Sequence, residues 1–184
     1  VSGGGPTAGT TAALLESVPN LSEGRDVRLI QEILDAVGAS GPVRILDVSS
    51  DADHNRSVIT LAGEPAAVVQ GLEALVAAAL ERIDLRRHQG RHPRMGAVDV
   101  VPLVPIRDLD MGECVRLARE LGERLARRHD LPVYLYEEAA SSRAFPRRCA
   151  TRNGSPTSAR RASTRAPAAW RSERASSSSP STST

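Results

Sequence analysis

Two histidines four residues apart, His88 and His92, stand among Arg87, Arg91 and Arg94 in the stretch Arg87–Ala97. Imidazole titrates near neutrality and suits a group that takes a proton and later returns it. Guanidinium neighbours favour its neutral form, which keeps His92 available as a base. Arg56, Arg91 and Arg94 present paired donors able to grip carboxylates. The histidine spacing also suits a metal on a helix, but Gly90 breaks any helix there and no Glu or Cys completes a ligand set. No metal is therefore expected. Asp51 and Asp53, in the run Asp51–Asn55, have the composition of a solvated turn.

Gly90, Pro93 and Gly96 bar a regular element, so this chemistry lies on a loop that flanking elements must position. Ala12–Val18 reads as a first strand and Pro19–Gly24 as a turn. Leu29, Ile30, Ile33, Leu34 and Val37 recur at helical spacing, with Gly38 placed to end that helix. Val43–Ser49 and Arg56–Leu61 read as strands joined by a turn. Pro65 suits the first turn of a helix running to about Asp84, with an apolar face at Val68, Val69, Leu72, Leu75, Val76, Ala79 and Leu80. Val98–Ile106 is extended because two prolines bar a helix. Asp110–His129 is again amphipathic, and Pro132–Tyr136 reads as a closing strand. The order βαββαβ followed by αβ predicts an α+β, ferredoxin-like fold with helices on one sheet face.

The chain has 184 residues, enough for one domain and an appendage. The formal charge of +2 hides a split, because residues 141–184 hold nine arginines and one acid, Glu173, for a net of +8. Residues 1–140 consequently carry a net of −6. Two cysteines, Cys114 and Cys149, are too few for a disulfide framework and fit a reducing compartment. With no apolar run of membrane-spanning length and no visible secretory signal, a soluble cytoplasmic protein is expected. Residues 1–13 and 141–184 are expected to be disordered, leaving 14–140 as the folded unit. The second of these segments has twelve serines and no Val, Ile, Leu or Met.

The set VPNLSEGRD (Val18–Asp26), LDVSSDADHNRSV (Leu46–Val58), GEPAAVVQGLEAL (Gly63–Leu75), HQGRHPRMGAVDVVPLVPIR (His88–Arg107) and LPVYLYEEAA (Leu131–Ala140) resembles the N-terminal subdomain of the formiminotransferase family. The resemblance implies a mixed sheet whose bare face stacks on a second subdomain, with folate lodged between them. It implies transfer of a formimino group from N-formimino-L-glutamate to N5 of tetrahydrofolate, the co-substrate, and assigns proton transfer to His92. Arg94, Arg56, Asn55 and Asn20 are candidate substrate-binding residues on chemical grounds. Ser17, Leu21, Ser49 and Arg91 depart from residues common in the family, the last two next to the expected chemistry.

Beyond Ala140 the family pattern stops. Under a suitable choice of codons, shifting the reading frame of Arg152–Ala159, Ser163–Trp170 and Ser179–Thr184 restores family-like segments in order. A frameshift between about Ala140 and Asn153 is therefore expected, giving a truncated copy of weak or no activity. The bare apolar sheet face of such a copy favours self-association. Two other readings come from different classes. One is a non-catalytic folate- or partner-binding module. The other is nucleic-acid binding through the arginine-rich tail, which the lack of interleaved aromatics disfavours.

Overall fold

Why the chain folds as it does is clearest at Arg56–Gly63, a strand with alternating burial whose Ser57, Ile59 and Leu61 are wholly buried. The computed structural model describes residues 12–91 and 95–140. In chain order the elements are β1 (Leu14–Ser17), β2 (Asn20–Leu21), α1 (Val27–Ser40), β3 (Arg44–Asp51), β4 (Arg56–Gly63), α2 (Pro65–Arg82), β5 (Val104–Arg107) and α3 (Met111–His129). A short 3-10 turn, Glu137–Ala139, follows. The expectations for residues 1–11, for 141–184 and for His92 and Arg94 lie outside the described residues.

β4 pairs on both edges. Leu61 faces Ile45 of β3 on one side and Ser17 of β1 on the other, and Val58 likewise faces Ser49 and Asn20. β1 and β2 are one strand interrupted at Pro19, which has no N–H but whose carbonyl still accepts from Ile59 N at 3.1 Å. β5 closes the far edge against β1. Expected as a mixed sheet, it is antiparallel at every described pairing. The reason is topological: α1 joins β2 to β3 and α2 joins β4 to β5, but another strand always lies between the parallel partners.

Leu15, Leu21, Ile59 and Leu61 point to the helix side and are fully buried, together with Ile33, Leu72 and Leu75 from the helices. The alternate residues Leu14, Glu16, Asn20, Val58 and Thr60 lie on the opposite face and are only partly covered. Helices thus cover one face, as the periodicity implies. A bulge between Ile45 and Asp47 resets the alternation, so Val43 and Ile45 are followed on the helix side by Val48. Leu46 is left 59% exposed.

Local chemistry sets the ends of the elements. Asp26 caps α1, accepting from the amides of Arg28 and Leu29, and Asp110 forms a reciprocal capping box with Glu113 at α3. Gly38 does not end α1, contrary to the expectation. A Cβ at that position would meet nothing within 4 Å, so the glycine sits harmlessly on an open part of the helix. The helix stops two residues later, where Gly41 and Pro42 follow Ser40.

Two extended segments give less ladder than expected. Val98–Ile106 pairs as a regular strand only from Val104, because Pro102 and Pro105 remove donors. Pro132–Tyr136 forms no strand: Val133 makes a single bridge, and Glu137, with φ 50°, turns the chain into the 3-10 segment. Among the described residues no helix is long and apolar enough to cross a membrane.

Leu72→Ala, which empties a fully buried position in α2, is expected to lower stability by about 2–5 kcal/mol. Asp110→Ala, which removes only a cap, is expected to lower it by about 1 kcal/mol. Urea unfolding followed by circular dichroism measures both. A larger loss from the cap would contradict the placement of the core.

Candidate functional site

Three loops meet at one end of the sheet: Ser22–Asp26 leading into α1, the Ala52–Asn55 turn between β3 and β4, and His88–Ala97 after α2. Backbone groups there lie outside the ladder, so each needs a partner other than a neighbouring strand. Asn55 supplies three of them. It is 6% exposed with φ 50°, a left-handed conformation that asparagine tolerates better than most residues. Its Oδ1 accepts from the buried Gly24 N–H at 2.9 Å, and its Nδ2 donates to the Gln89 carbonyl at 3.0 Å. Its own carbonyl lies 3.0 Å from His88 Nε2. Since a carbonyl only accepts, that nitrogen carries the proton, which fixes the tautomer of neutral His88.

Two glycines let the loops come this close. A Cβ on Gly24 would fall 2.4 Å from the Asp51 carbonyl oxygen, and one on Gly90 2.4 Å from that of His54. No side chain fits at either place.

The segment carrying residues 92–94 is anchored on both flanks. Before it, Arg91 N donates to the Asp53 carbonyl at 3.4 Å. After it, Met95 N and Gly96 N both donate to Asp99 Oδ1, at 2.7 and 3.0 Å. Ser22 then holds the exit, donating from Oγ to the Gly96 carbonyl at 2.7 Å and from N to the Ala97 carbonyl at 2.9 Å. Sequence reasoning missed Ser22, Gly24 and Asp99 as part of this assembly. A carboxylate three residues after a loop glycine was the available local signal for Asp99.

The other candidates divide. Arg56 opens β4 opposite Asp51 and is engaged in the folded chain. Asn20, in β2, has both backbone groups paired, N to Val100 O and O from Asp99 N. Its side chain lies on the open face beside Val58, and its Oδ1 is buried without a hydrogen-bond partner among the described residues. Unsatisfied buried acceptors are uncommon and call for an explanation.

The Asp51 turn is an acceptor-rich cap. Asp51 Oδ1 accepts from Asp53 N and His54 N, each at 2.9 Å, while Oδ2 meets His54 Nδ1 at 2.7 Å. The His54 amide first, then its imidazole, hold the Asp51 carboxyl below its ordinary range. Because the shift is downward on folding, the stability it confers is complete above the ordinary carboxylate pKa. That stability is lost as pH falls through the folded value. His54→Ala should raise the Asp51 midpoint only partway, because the two amides remain. A carboxyl-detected NMR titration measures it, and a midpoint unmoved by the substitution would show that the imidazole adds nothing.

The model of the formiminotransferase domain, N-terminal subdomain, matches residues 14–179. The glutamate formimidoyltransferase of Thermoplasma acidophilum is 50% identical over 128 residues, 70% of this chain and 42% of that protein. Its counterpart in Streptococcus pyogenes is 42% identical over 130 residues, 71% of this chain and 44% of that protein. The formimidoyltransferase-cyclodeaminase of Sus scrofa is 48% identical over 127 residues, 69% of this chain and 24% of that protein. The chain spans less than half the length of these relatives. With a family match of this extent, the chain belongs to the formiminotransferase family, in the part that forms the N-terminal subdomain.

Proposed function

We propose that this chain carries the histidine-bearing wall of a site that transfers a formimino group from N-formimino-L-glutamate to N5 of tetrahydrofolate. The observation that carries the reading is the 50% identity over 128 residues to a protein named glutamate formimidoyltransferase, beside a family match over residues 14–179 that contains all three loops.

In the reaction, N5 attacks the amidine carbon and the new C–N bond gives a tetrahedral intermediate. The bond to the glutamate nitrogen then breaks, and glutamate leaves as the amine. One proton must be taken from N5 and one delivered to the departing nitrogen, and a single imidazole can do both. His92 takes that role in this reading. Arg94 and Arg56 are the partners proposed for carboxylates of glutamate or of the folate tail. Asn20 Oδ1 is an acceptor for an N–H of the bound ligand, which would explain why it has no partner in the unliganded chain. The helix-free face of the sheet, where Val104 and Ile106 are exposed, is the wall that a second sheet or a second copy would cover. A cytoplasmic setting, where folate chemistry and free thiols coexist, belongs to the same proposal.

The test is formation of 5-formiminotetrahydrofolate by the 184-residue chain, alone and with the remaining segment of a relative added. Because orientation between two walls accelerates transfer, the chain alone is expected to be slow and the added segment to speed it. His92→Ala should lower turnover by roughly 10²–10⁴-fold, the usual contribution of a general acid–base group. His88→Ala should cost much less. Turnover no faster than that of the His92→Ala chain, with or without the added segment, removes the reading.

A further inference from the structure

We propose that Asn55 is a positioning residue that acts on the backbone of the histidine loop and not on a ligand. The inference rests on the functional reading above only for the statement that this loop matters to the reaction. The geometry of the clasp is independent of it.

The carboxamide offers an acceptor and a donor on two separate atoms of a single short arm. Both are engaged, and the two partners belong to different loops: the Gly24 amide 31 residues before it and the Gln89 carbonyl 34 residues after it. Neither polar atom is left to recognise a substrate as its principal task. The backbone carbonyl of the same residue receives the His88 Nε2 proton. One residue thus fixes the tautomer of the first histidine of the loop and the course of the chain immediately after it. The left-handed φ of 50° at Asn55 turns its carbonyl and side chain toward these partners. Aspartate would keep the acceptor but place a carboxylate oxygen against the Gln89 carbonyl, where two acceptors repel. Glycine would keep the backbone conformation and lose both side-chain bonds.

Close approach makes the arrangement rigid. The Gly90 contact with the His54 carbonyl and the Gly24 contact with Asp51 and Arg56 leave no space for the loops to drift inward. Outward drift is opposed by the two carboxamide bonds and by Arg91 N on the Asp53 carbonyl. Beyond residues 92–94 the chain is caught again by Asp99 and Ser22. Loosening Asn55 therefore frees the entry to the loop and leaves its exit held. A ligand contact would not have that pattern.

The experiment compares the full 184-residue chain with Asn55→Gly and Asn55→Asp. It reads amide hydrogen exchange and the imidazole ¹⁵N shifts of His88. In Asn55→Gly, exchange at Gly24 and across residues 88–91 is expected to accelerate by about tenfold, the loss of roughly one hydrogen bond at each arm. Amides of α2 and β4 should keep their protection, and His88, no longer held against the retained carbonyl of residue 55 once residues 88–91 loosen, should lose its single Nε2–H tautomer. In Asn55→Asp, Gly24 should stay protected while residues 88–91 exchange faster, which separates the two arms of the clasp.

Unchanged exchange and an unchanged His88 signal in both variants would overturn the proposal. So would an equal loss of protection in α2 and β4, which would make Asn55 a determinant of global stability only. Binding of 5-formyltetrahydrofolate, used as a probe, supplies the remaining arm. Loss of its binding in Asn55→Gly with exchange and tautomer unmoved would make Asn55 a ligand contact and sink the positioning role. If the wild-type chain does not bind the probe, the functional reading fails by itself, and exchange and tautomer still decide the role of Asn55.

Discussion

β4 is the constraint on which the rest of the molecule depends, because both of its edges and one of its faces are filled. The Leu61 and Val58 positions each have a partner on either side, so the register of β3 and that of β1/β2 are set by the same eight residues. Its inward side chains are buried beneath the helices, so a slip by one residue would carry Ile59 and Leu61 to the open face. Such a slip forfeits about 1.5–3 kcal/mol per large side chain moved. That fixed register also determines where the turn before β4 and the β2 residues opposite its first positions must lie. The loop cluster is therefore a consequence of strand pairing before any side chain in it acts.

Buried polar groups then finish what pairing begins. Ser17, Ser22, Asn55 and Ser57 are the buried polar residues among those described. Each reaches a backbone group of a distant segment: Pro102, Gly96, Gly24 with Gln89, and Glu23. Prolines explain part of this need. Pro19, Pro102 and Pro105 thin the hydrogen-bond ladder around β1, β2 and β5, and carbonyls left without an amide partner take hydroxyl groups instead. Ser17 is accommodated in this way. Its hydroxyl donates to the Pro102 carbonyl at 2.6 Å in a position with no exposure. The buried hydroxyl is thus matched by a donor–acceptor contact and is not left without a partner.

What was legible in the sequence was local and periodic. The helical spacing of Leu29 to Val37 and of Val68 to Leu80, the extended run around Arg56–Leu61 and the turn after Asp51 all reappear as expected. Gly38 misled because a glycine is a helix stop only when the chain needs an unusual conformation beside it. Here Gly41-Pro42 supplied the stop. Pro132–Tyr136 misled because apolar and aromatic content signals a strand only if an edge is available to pair with it. The bulge at Ile45–Asp47 could not be read at all, since alternation in the sequence shows no extra residue. The site divides along the same line. The irregular course of the His88–Ala97 segment was visible from Gly90 and Gly96, whereas the contacts of Asn55 depend on partners more than thirty residues away in both directions. Local composition gives such a residue the look of a solvated turn, because asparagine is equally at home there.

Asn20 and Asn55 show how one residue type can serve opposite ends on the same scaffold. Both are asparagines near the same end of the sheet, and neither projects from a helix. Asn55 is more deeply buried and has its Oδ1, its Nδ2 and its carbonyl matched within the chain, so its carboxamide contributes to holding the loops in place. Asn20 has its backbone matched and its Oδ1 unmatched. An unmatched acceptor of this kind lowers stability by about 1–3 kcal/mol relative to one with a donor. Folding alone would favour an apolar residue beside Val58, since the strand pairing there needs only the backbone of Asn20. The physical asymmetry therefore separates the two candidates that composition had placed together. A residue whose bonds are complete in the free chain gains little from a ligand, and a residue left with an empty acceptor has free energy to recover when an N–H donor arrives.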